Sequence, residues 1–245
     1  MHRSFIVRTL GSLILVSAAL GAQPTGRSAA APQVKGLFEP VGYTEAIKFR
    51  DVAFVNVDVG WVVGDAGTIL RTIDGGKTWE AQLGGDPQSD ADEIRIVHFL
   101  DERRGWAIQG MKLLHTRDGD GWEEIGSAPY GVQHLVFTSP RVGITAGSPQ
   151  ATHYNPSYMY RTTDGGRTWR QVWTCEAKMM MGGLPRNFTC EIGQIQFPTP
   201  DVGYAVAKDR CAGMGCDGPP LIAKTTDGGA TWRVVTGPGV LEQEH

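Results

Sequence analysis

The chain has 245 residues, with 41% hydrophobic and 20% charged side chains and a formal net charge of −3. This composition excludes a disordered charged tail, and the lack of a basic field excludes a typical nucleic-acid-binding surface. Glycine accounts for 33 residues, nearly twice the usual share of about 7%. Because there is no collagen-like period, so much glycine indicates many tight turns and hence many short strands.

The N-terminus is predicted to be an export signal. A positively charged start precedes an apolar run from Leu10 to Leu20, and small residues follow it. The run is shorter than the ~20 residues that a membrane-spanning helix needs, which favours a cleaved signal peptide over residues 1–22, with an uncleaved anchor as the alternative. No cysteine for lipid attachment lies there. Residues 23–35 are expected to be a linker, and residues 36–245 one periplasmic or secreted domain.

Two linked motifs recur four times along the rest of the chain. The first is a Phe followed six residues later by a Gly, which usually precedes an aromatic residue. The second is Thr-x-Asp-Gly-Gly-x-Thr-Trp, which is one residue shorter in its second copy. Two motifs repeated in a fixed order indicate a repeat architecture. The Phe–Gly pairs are Phe54–Gly60, Phe99–Gly105, Phe137–Gly143 and Phe197–Gly203.

The residues of the first repeat predict four strands. Residues 52–55 read as a strand, with Val52 and Phe54 on one side and Ala53 and Val55 on the other. Trp61–Val63 and Thr68–Arg71 are rich in β-formers, and Trp79 lies at the opening of a fourth strand. The turn at Asp74–Gly76 suits a hairpin because glycine accepts positive φ. Four strands per repeat are typical of a propeller blade. The predicted fold is therefore all-β, a β-propeller of four-stranded antiparallel blades with four blades visible.

These motifs carry a resemblance to a known family. The second motif is the Asp box of bacterial-neuraminidase-type repeats. Its combination with the Phe–Gly motif closely resembles the photosystem II stability/assembly factor family, and residues 60–79 are the most family-like stretch. Members of that family usually have seven blades. Four blades are visible in this sequence, so we expect either that the four close into a ring or that the propeller is partial and open, with free edges that would favour self-association.

The Asp-box residues are expected to be structural. An Asp at the start of a hairpin accepts hydrogen bonds from the N–H groups of the turn, and the Trp packs between sheets. A motif repeated in every blade does not supply the unique residues that catalysis needs. We predict no catalytic residue, no cofactor and no metal site. The Asp-box residues are Asp74, Trp79, Asp118, Trp122, Asp164, Trp169, Asp227 and Trp232.

Unequal spacings within the repeats point to one face as the binding surface. Blades three and four have longer segments between their second and third strands, at 147–158 and 208–220, and the connection 174–190 between them is also long. In an antiparallel blade all three segments lie on the face opposite the Asp-box turns. Long loops on a rigid scaffold often carry binding functions. The expected partner-binding residues are His153, Tyr154, Tyr158, Lys178, Met180, Arg186, Arg210 and Met214.

The four cysteines fall in the last two of these segments. An even number of cysteines in an exported chain favours disulfides, and we expect the pairs Cys175–Cys190 and Cys211–Cys216. A crossed pairing that ties the two segments together is the alternative. A zinc site is a further alternative, although the chain has no Cys-x-x-Cys motif.

The sequence predicts an exported, non-enzymatic propeller that binds a protein partner. The family resemblance implies that this partner belongs to an envelope or membrane complex whose assembly or stability the protein assists. The alternative is a glycan-binding propeller or a sialidase-like glycoside hydrolase. Against hydrolysis, Arg95-Ile96-Val97 lacks the Pro of the sialidase motif, and nothing in the sequence joins two acids into the pair that hydrolysis needs.

Overall fold

A computed structural model of the chain describes residues 46–148, 156–181, 184–209 and 221–236. The predicted signal peptide, the predicted linker and the expected Cys211–Cys216 pair lie outside these residues. The regular elements of the described ranges are all β-strands, so no helix among them is long and apolar enough to cross a membrane. The strands belong to one compact unit, Pro40–His245.

The strands form four antiparallel sheets, one for each sequence repeat, which we call blades 1 to 4. Blade 1 contains β1 (Phe49–Phe54), β2 (Gly60–Gly64), β3 (Thr68–Thr72) and β4 (Glu80–Leu83). Blade 2 contains β5 (Ile94–Phe99), β6 (Gly105–Gln109), β7 (Lys112–Thr116) and β8 (Glu123–Ser127). Blade 3 contains β9 (Val132–Phe137), β10 (Gly143–Gly147), β11 (Tyr158–Thr162) and β12 (Arg170–Thr174). Blade 4 contains β13 (Glu176–Met181), β14 (Leu184–Gln196), β15 (Gly203–Asp209), β16 (Leu221–Thr225) and β17 (Arg233–Thr236).

The predicted propeller of four-stranded antiparallel blades is confirmed, with one difference in blade 4. The connection 174–190, expected as a loop, is a β-hairpin in which β13 pairs with the first half of β14, from Glu176 opposite Thr189 to Met181 opposite Leu184. The sequence signal for this hairpin is the Gly-Gly pair at 182–183 between two strand-forming segments, a two-residue hairpin signature. The hairpin adds a fifth strand to the sheet of blade 4.

The Phe–Gly motif is explained by close packing within each blade. The Phe that ends the inner strand lies directly over the Gly that begins the next strand. A Cβ atom placed on Gly60 would come 2.6 Å from the ring of Phe54, and one on Gly105 would come 2.4 Å from the ring of Phe99. Both distances are well below van der Waals contact, so only glycine leaves room for the ring. The six-residue spacing therefore records a contact between two neighbouring strands.

Stacked aromatic rings join one blade to the next. Trp61 of blade 1 stacks on Phe99 of blade 2 with ring centroids 3.5 Å apart, and Trp106 of blade 2 stacks on Phe137 of blade 3 at 3.7 Å. Both tryptophans are completely buried. Ile144 takes the equivalent place in the core between blades 3 and 4. Burial of such large side chains is the main source of stability between the sheets.

The Asp-box tryptophans have a different environment from these stacked tryptophans. Each makes an edge-to-face contact with the Phe of its own blade, with ring centroids 5.7 to 6.2 Å apart. Trp232 is buried, whereas Trp79, Trp122 and Trp169 are partly buried. The tryptophans that the motif singles out therefore support the Phe from within the blade, and those that follow the glycine fill the space between blades.

The four blades form an open arc. The inner strands contact one another in chain order, β1 with β5, β5 with β9 and β9 with β14, and no comparable contact joins β1 to β14 among the described residues. Phe54 of blade 1 and Tyr204 of blade 4, which lie at the two ends of this row of blades, are exposed. Of the two expected arrangements, the structure shows the open propeller and not the closed four-bladed ring.

The stacked tryptophans should dominate the stability of the arc. We expect Trp106→Ala to lower the free energy of unfolding by about 3–5 kcal/mol, because it empties a buried site between two blades. Urea denaturation followed by circular dichroism measures the change. The control is Tyr130→Ala at an exposed aromatic position, for which we expect a change within about 0.5 kcal/mol. Equal losses for the two variants would contradict this account of the core.

Candidate functional site

Each Asp box locks the hairpin between the third and fourth strands of its blade. In blade 1, Oδ1 of Asp74 accepts a hydrogen bond from the Thr78 N–H at 2.9 Å, and Oδ2 accepts one from the Thr78 hydroxyl at 2.7 Å. The Thr72 hydroxyl donates to Asp74 at 2.8 Å and accepts from the N–H of Gly76 at 2.8 Å. The glycines of the turn adopt positive φ, 74° at Gly75 and 85° at Gly76. The carboxylate is thus fully engaged in its own turn.

The same arrangement recurs in the other blades. Asp164 and Asp227 accept the corresponding bonds from the threonine four residues later, at 2.6 to 2.9 Å. The shorter copy differs, because Asp118 accepts from the backbone N–H groups of Asp120 and Gly121 at 2.9 Å. These contacts explain why an Asp is needed in each blade without a catalytic role.

The hydrogen bonds hold the Asp-box carboxylates in their charged form. The hydroxyl and N–H of Thr78 lower the pKa of Asp74 to about 2. Burial alone would raise the pKa of Asp164, but bonds from Thr168 and Thr162 outweigh it and lower the pKa to about 2. A carboxyl whose pKa lies this far below the usual value is a poor proton donor or acceptor near neutral pH. The Asp boxes therefore fit a structural role.

The opposite face of the arc carries the long segments of blades 3 and 4. The strand register puts Gly147 opposite Tyr158 and Ala207 opposite Leu221, so the segments that follow β10 and β15 leave the sheets at the same end. The Asp-box turns leave at the other end. We call the first end the insertion face. It also contains the β13–β14 hairpin, whose base is at Cys175 and Cys190.

A disulfide and a set of backbone hydrogen bonds tie the base of this face together. Cys175 and Cys190 form a disulfide, and both residues are completely buried. The Cys175 N–H donates to the carbonyl of Ser157 at 2.7 Å, and the Ser157 N–H donates to the carbonyl of Cys190 at 3.0 Å. The disulfide closes the β13–β14 hairpin. The bonds through Ser157 fasten the hairpin to the segment that precedes β11.

A polar cleft of about 330 Å³ opens between the inner strands. Its wall includes Arg50 of blade 1 and Arg95 of blade 2, which occupy the same position, four residues before the Phe of their blades. Glu93 lies between them, 2.8 Å from Nη2 of Arg50 and 3.7 Å from Nε of Arg95. Because these residues stand at the start of the inner strands, the cleft borders the insertion face.

Two further polar contacts fix side chains of the cleft, one between neighbouring blades and one within blade 1. His134 of blade 3 contacts the carbonyl of Ile192 of blade 4 through Nε2 at 3.0 Å. Arg50 donates a hydrogen bond from Nε to Oδ1 of Asp65 at 2.7 Å, and this bond raises the pKa of the guanidinium. The sequence alone did not predict this cleft. The signal that could have found it is the repeated polar residue four positions before the Phe: Arg50, Arg95 and Gln133 in the first three blades.

The described residues include few of the side chains predicted to bind a partner. Tyr158 begins β11 at the edge of the insertion face and is partly buried. Lys178, Met180 and Arg186 belong to the β13–β14 hairpin, but their side chains lie outside the described part of the structure. His153, Tyr154, Arg210 and Met214 lie outside the described residues altogether. Within the described ranges, no three His, Cys, Asp or Glu residues form a group that could hold a metal ion.

Three of the four acids that could serve in glycoside hydrolysis, Glu176, Glu191 and Asp209, lie near the base of the β13–β14 hairpin. Glu191 stands 3.5 Å from Nζ of Lys208, and Glu176 lies opposite Thr189 in the β13–β14 hairpin. Asp209 ends β15, and Asp217 lies outside the described residues.

A family model and the similar proteins of known sequence all carry the names of photosystem II assembly or stability factors. The family model described as "Photosynthesis system II assembly factor YCF48" matches residues 38–187. A photosystem II assembly lipoprotein Ycf48 from Prochlorococcus marinus is 32% identical over 127 residues, which cover 49% of this chain and 34% of that protein. The chloroplastic photosystem II stability/assembly factor HCF136 of Oryza sativa subsp. japonica is 30% identical over 128 residues, covering 49% and 29%. The chain thus spans about a third of the length of these relatives.

Solved structures also include similar β-propellers. A structure titled "YCF48 bound to D1 peptide" covers 78% of this chain and 81% of its own, with 18% identity and a TM-score of 0.45. A family 74 xyloglucanase from Xanthomonas campestris covers 74% of this chain and 29% of its own, with 16% identity and a TM-score of 0.49. At these values the similarities do not bear on function.

The Asp boxes should make stability depend on pH in the acid range. The folded-state pKa of Asp164 is about 2, below its ordinary value of 3.8. The charged Asp164 carboxylate therefore stabilises the folded state fully at pH values above the pKa of this group in the unfolded chain, and this stabilisation is lost as the pH falls toward 2. We expect Asp164→Asn to lower the urea midpoint at pH 6 and to reduce the further fall between pH 4 and pH 2. Asp90→Asn, at an exposed site, should behave like the unchanged protein at every pH. An equal acid response in all three proteins would contradict the assignment.

The Cys175–Cys190 disulfide should contribute measurably to stability. It closes a loop with a sequence separation of 15, for which chain entropy predicts about 3 kcal/mol. We expect the double variant Cys175→Ala, Cys190→Ala to lose about this amount in urea denaturation. Reductant should destabilise the unchanged protein but have little effect on the double variant. Any reductant effect that remains in the variant would report the second predicted pair, and equal stability of the two proteins would contradict the prediction.

Proposed function

This chain belongs to the family of the photosystem II assembly factor Ycf48, and from this premise we propose that it is a non-enzymatic assembly or stability factor that binds a protein subunit of a membrane complex. The family model matches more than half of the chain. The named relatives are assembly and stability factors. This is the observation that carries the proposal.

The proposed binding surface is the insertion face together with the polar cleft that borders it. The segments that vary between the blades are on this face, and the Cys175–Cys190 disulfide fixes their base. The opposite face consists of Asp-box turns whose carboxylates are occupied by their own threonines. A rigid scaffold with variable segments on one side is the usual arrangement for a binding protein. In this proposal Tyr158 and the predicted hairpin residues contact the partner.

The cleft suggests that recognition is largely polar. Arg50 and Arg95 offer guanidinium groups, and Gln133 and Gln194 are exposed amides of the same wall. Asp51 and Glu93 balance much of the positive charge, so the cleft suits hydrogen bonding to a polar segment better than capture of a strongly charged one. We propose that a segment of the partner subunit enters this cleft while the insertions hold the surrounding surface.

The proposed location is outside the cytoplasm, in the periplasm or as a secreted protein, after removal of the predicted signal peptide. The support is the Cys175–Cys190 disulfide, since such bonds form and persist in oxidising compartments. The partner would then expose its contact segment on the non-cytoplasmic side of the membrane.

Site-specific photo-cross-linking in the native host tests the proposed surface. A photoreactive residue at Gln133 or Gln194, in the cleft, should cross-link to one and the same subunit of a membrane complex. The matched control is the same group at Lys77, an exposed position in the Asp-box turn on the opposite face, where we expect no such product. Cross-linking from Lys77 in place of the cleft positions would refute the proposed face.

Cross-linking from the cleft, combined with glycan-binding and glycosidase assays, separates the proposal from the glycan alternative. If neither cleft position captures a protein, and the purified chain binds glycans on an array or hydrolyses glycosides in an enzyme panel, the assembly-factor proposal fails. A membrane-complex subunit cross-linked through the cleft, without glycosidase activity, supports it.

A further inference from the structure

The two end blades expose complementary halves of the contact that joins all the other blades. Each blade has a forward face, turned toward the next blade in the chain, and a rear face, turned toward the preceding one. In the internal contacts, the forward face supplies the residue after the blade glycine and the rear face supplies the Phe of the following inner strand. Trp61 with Phe99 and Trp106 with Phe137 are these pairs. The forward face of blade 4 and the rear face of blade 1 have no such partner among the described residues.

The forward face of blade 4 keeps the apolar character of the internal forward faces but is exposed. Tyr204 and Val206 are 37% and 45% exposed. They occupy the positions of Trp61 and Val63 in blade 1 and of Trp106 and Ile108 in blade 2, all of which are at most 1% exposed. Tyrosine suits this position because it offers an aromatic face together with a polar hydroxyl.

The rear face of blade 1 shows the matching pattern. Val52 and Phe54 are 56% and 48% exposed. The counterparts on the rear faces of blades 2 and 3 are all no more than 9% exposed. These counterparts are Val97, Phe99, Leu135 and Phe137. Blade 1 therefore presents an intact but uncovered acceptor for an aromatic side chain of another blade.

A hydrogen bond between consecutive blades is likewise present inside the arc and has no counterpart at the end of blade 1 among the described residues. In each internal contact, the carbonyl of the first Asp-box glycine accepts a hydrogen bond from the preceding blade. Trp61 donates to Gly119 at 3.3 Å, Trp106 to Gly165 at 3.2 Å, and Arg161 to Gly228 at 2.8 Å. These three glycines are buried, whereas their counterpart in blade 1, Gly75, is exposed.

Blade 4 carries a cation at the position that makes this bond in blade 3. Lys224 precedes the Asp-box threonine of its blade, as Arg161 and Arg71 do in theirs. Its Nζ stands 5.5 Å from the ring centroid of Tyr204, just as Arg71 stands 5.6 Å from that of Trp61. Lys224 and Tyr204 on the open face of blade 4 therefore have the same arrangement as Arg71 and Trp61 of blade 1, which both contact blade 2.

We propose that a second copy of this chain covers both open faces, with the forward face of blade 4 in one copy packed on the rear face of blade 1 in the other. Tyr204 then lies on the partner copy's Phe54, and Lys224 donates to the partner copy's Gly75 carbonyl. A second copy is the fitting occupant because the two faces match each other, position by position, in the same way as the faces that meet at the three interfaces between blades inside the arc. Two such contacts related by a twofold axis close a ring of eight blades, within the range that propellers adopt.

Analytical ultracentrifugation of the purified chain tests this proposal, with two variants that each disable one face. Val52→Asp places a charge on the rear face of blade 1, and Val206→Asp places one on the forward face of blade 4. We expect the unchanged chain to sediment as a dimer and each variant as a monomer. Because both side chains are exposed in the single chain, both variants should keep the circular dichroism spectrum of the folded protein.

Mixing the two variants tests the head-to-tail geometry. The Val52→Asp variant retains an intact forward face and the Val206→Asp variant an intact rear face, so the equimolar mixture should form a heterodimer through one contact. The control is Met111→Asp on blade 2. Met111 is 56% exposed, the same fraction as Val52, and this variant should remain dimeric. The proposal is overturned if the unchanged chain is monomeric, if Val206→Asp remains dimeric, or if the mixture contains only monomers.

Discussion

The structure depends on the packing of one large side chain between consecutive blades. A four-stranded blade is too small to bury its own apolar side chains, so each blade is stable only when it covers the next. The covering residue follows the glycine that begins the second strand, and that glycine is required because the Phe ring of the same blade lies against it. The Phe in turn receives the aromatic side chain of the preceding blade. Phe, Gly and Trp thus form one unit, and its repetition builds the arc.

In the proposed function, the same repeat places stabilising residues and binding residues at opposite ends of the blades. The Asp-box turns at one end use their carboxylates, threonines and glycines to fix the hairpins, and their chemistry is nearly identical in every blade. The other end is free to vary, since the strands below it are already held. That end contains the Cys175–Cys190 disulfide and the β13–β14 hairpin, which adds a fifth strand to blade 4. It is bordered by the cleft, whose lining residues differ between blades. Recognition of a partner requires residues that differ between blades, whereas the repeated turns require the same residues in every blade.

An arc of this kind has two ends, and the repeat that stabilises its interior leaves both ends incomplete. The exposed Phe54 and Tyr204 are not random surface residues, because the counterparts of Tyr204 in the other three blades are completely buried and those of Phe54 in blades 2 and 3 are no more than 9% exposed. The proposed association of the two ends and the proposed binding of a partner on the insertion face would use different surfaces. Both could then operate in one molecule, and closure of the ring would surround the cleft with inner strands of both copies.

The sequence alone determined the four blades, their strands and the hairpin turns, because each depends on residues close together in the chain: the Phe–Gly spacing, the Asp box and the alternation of apolar residues. It also indicated the family and the end of the blades that carries the longer segments. It did not reveal that Arg50, Arg95 and His134 share one cleft, since these residues come from three blades and meet only when the blades are arranged around a centre. The hairpin at 174–190 was missed because its pairing extends a strand of blade 4 beyond the repeat. Whether the ring closes was also decided only by tertiary structure, because closure depends on the angle between packed blades, which no local pattern of residues encodes.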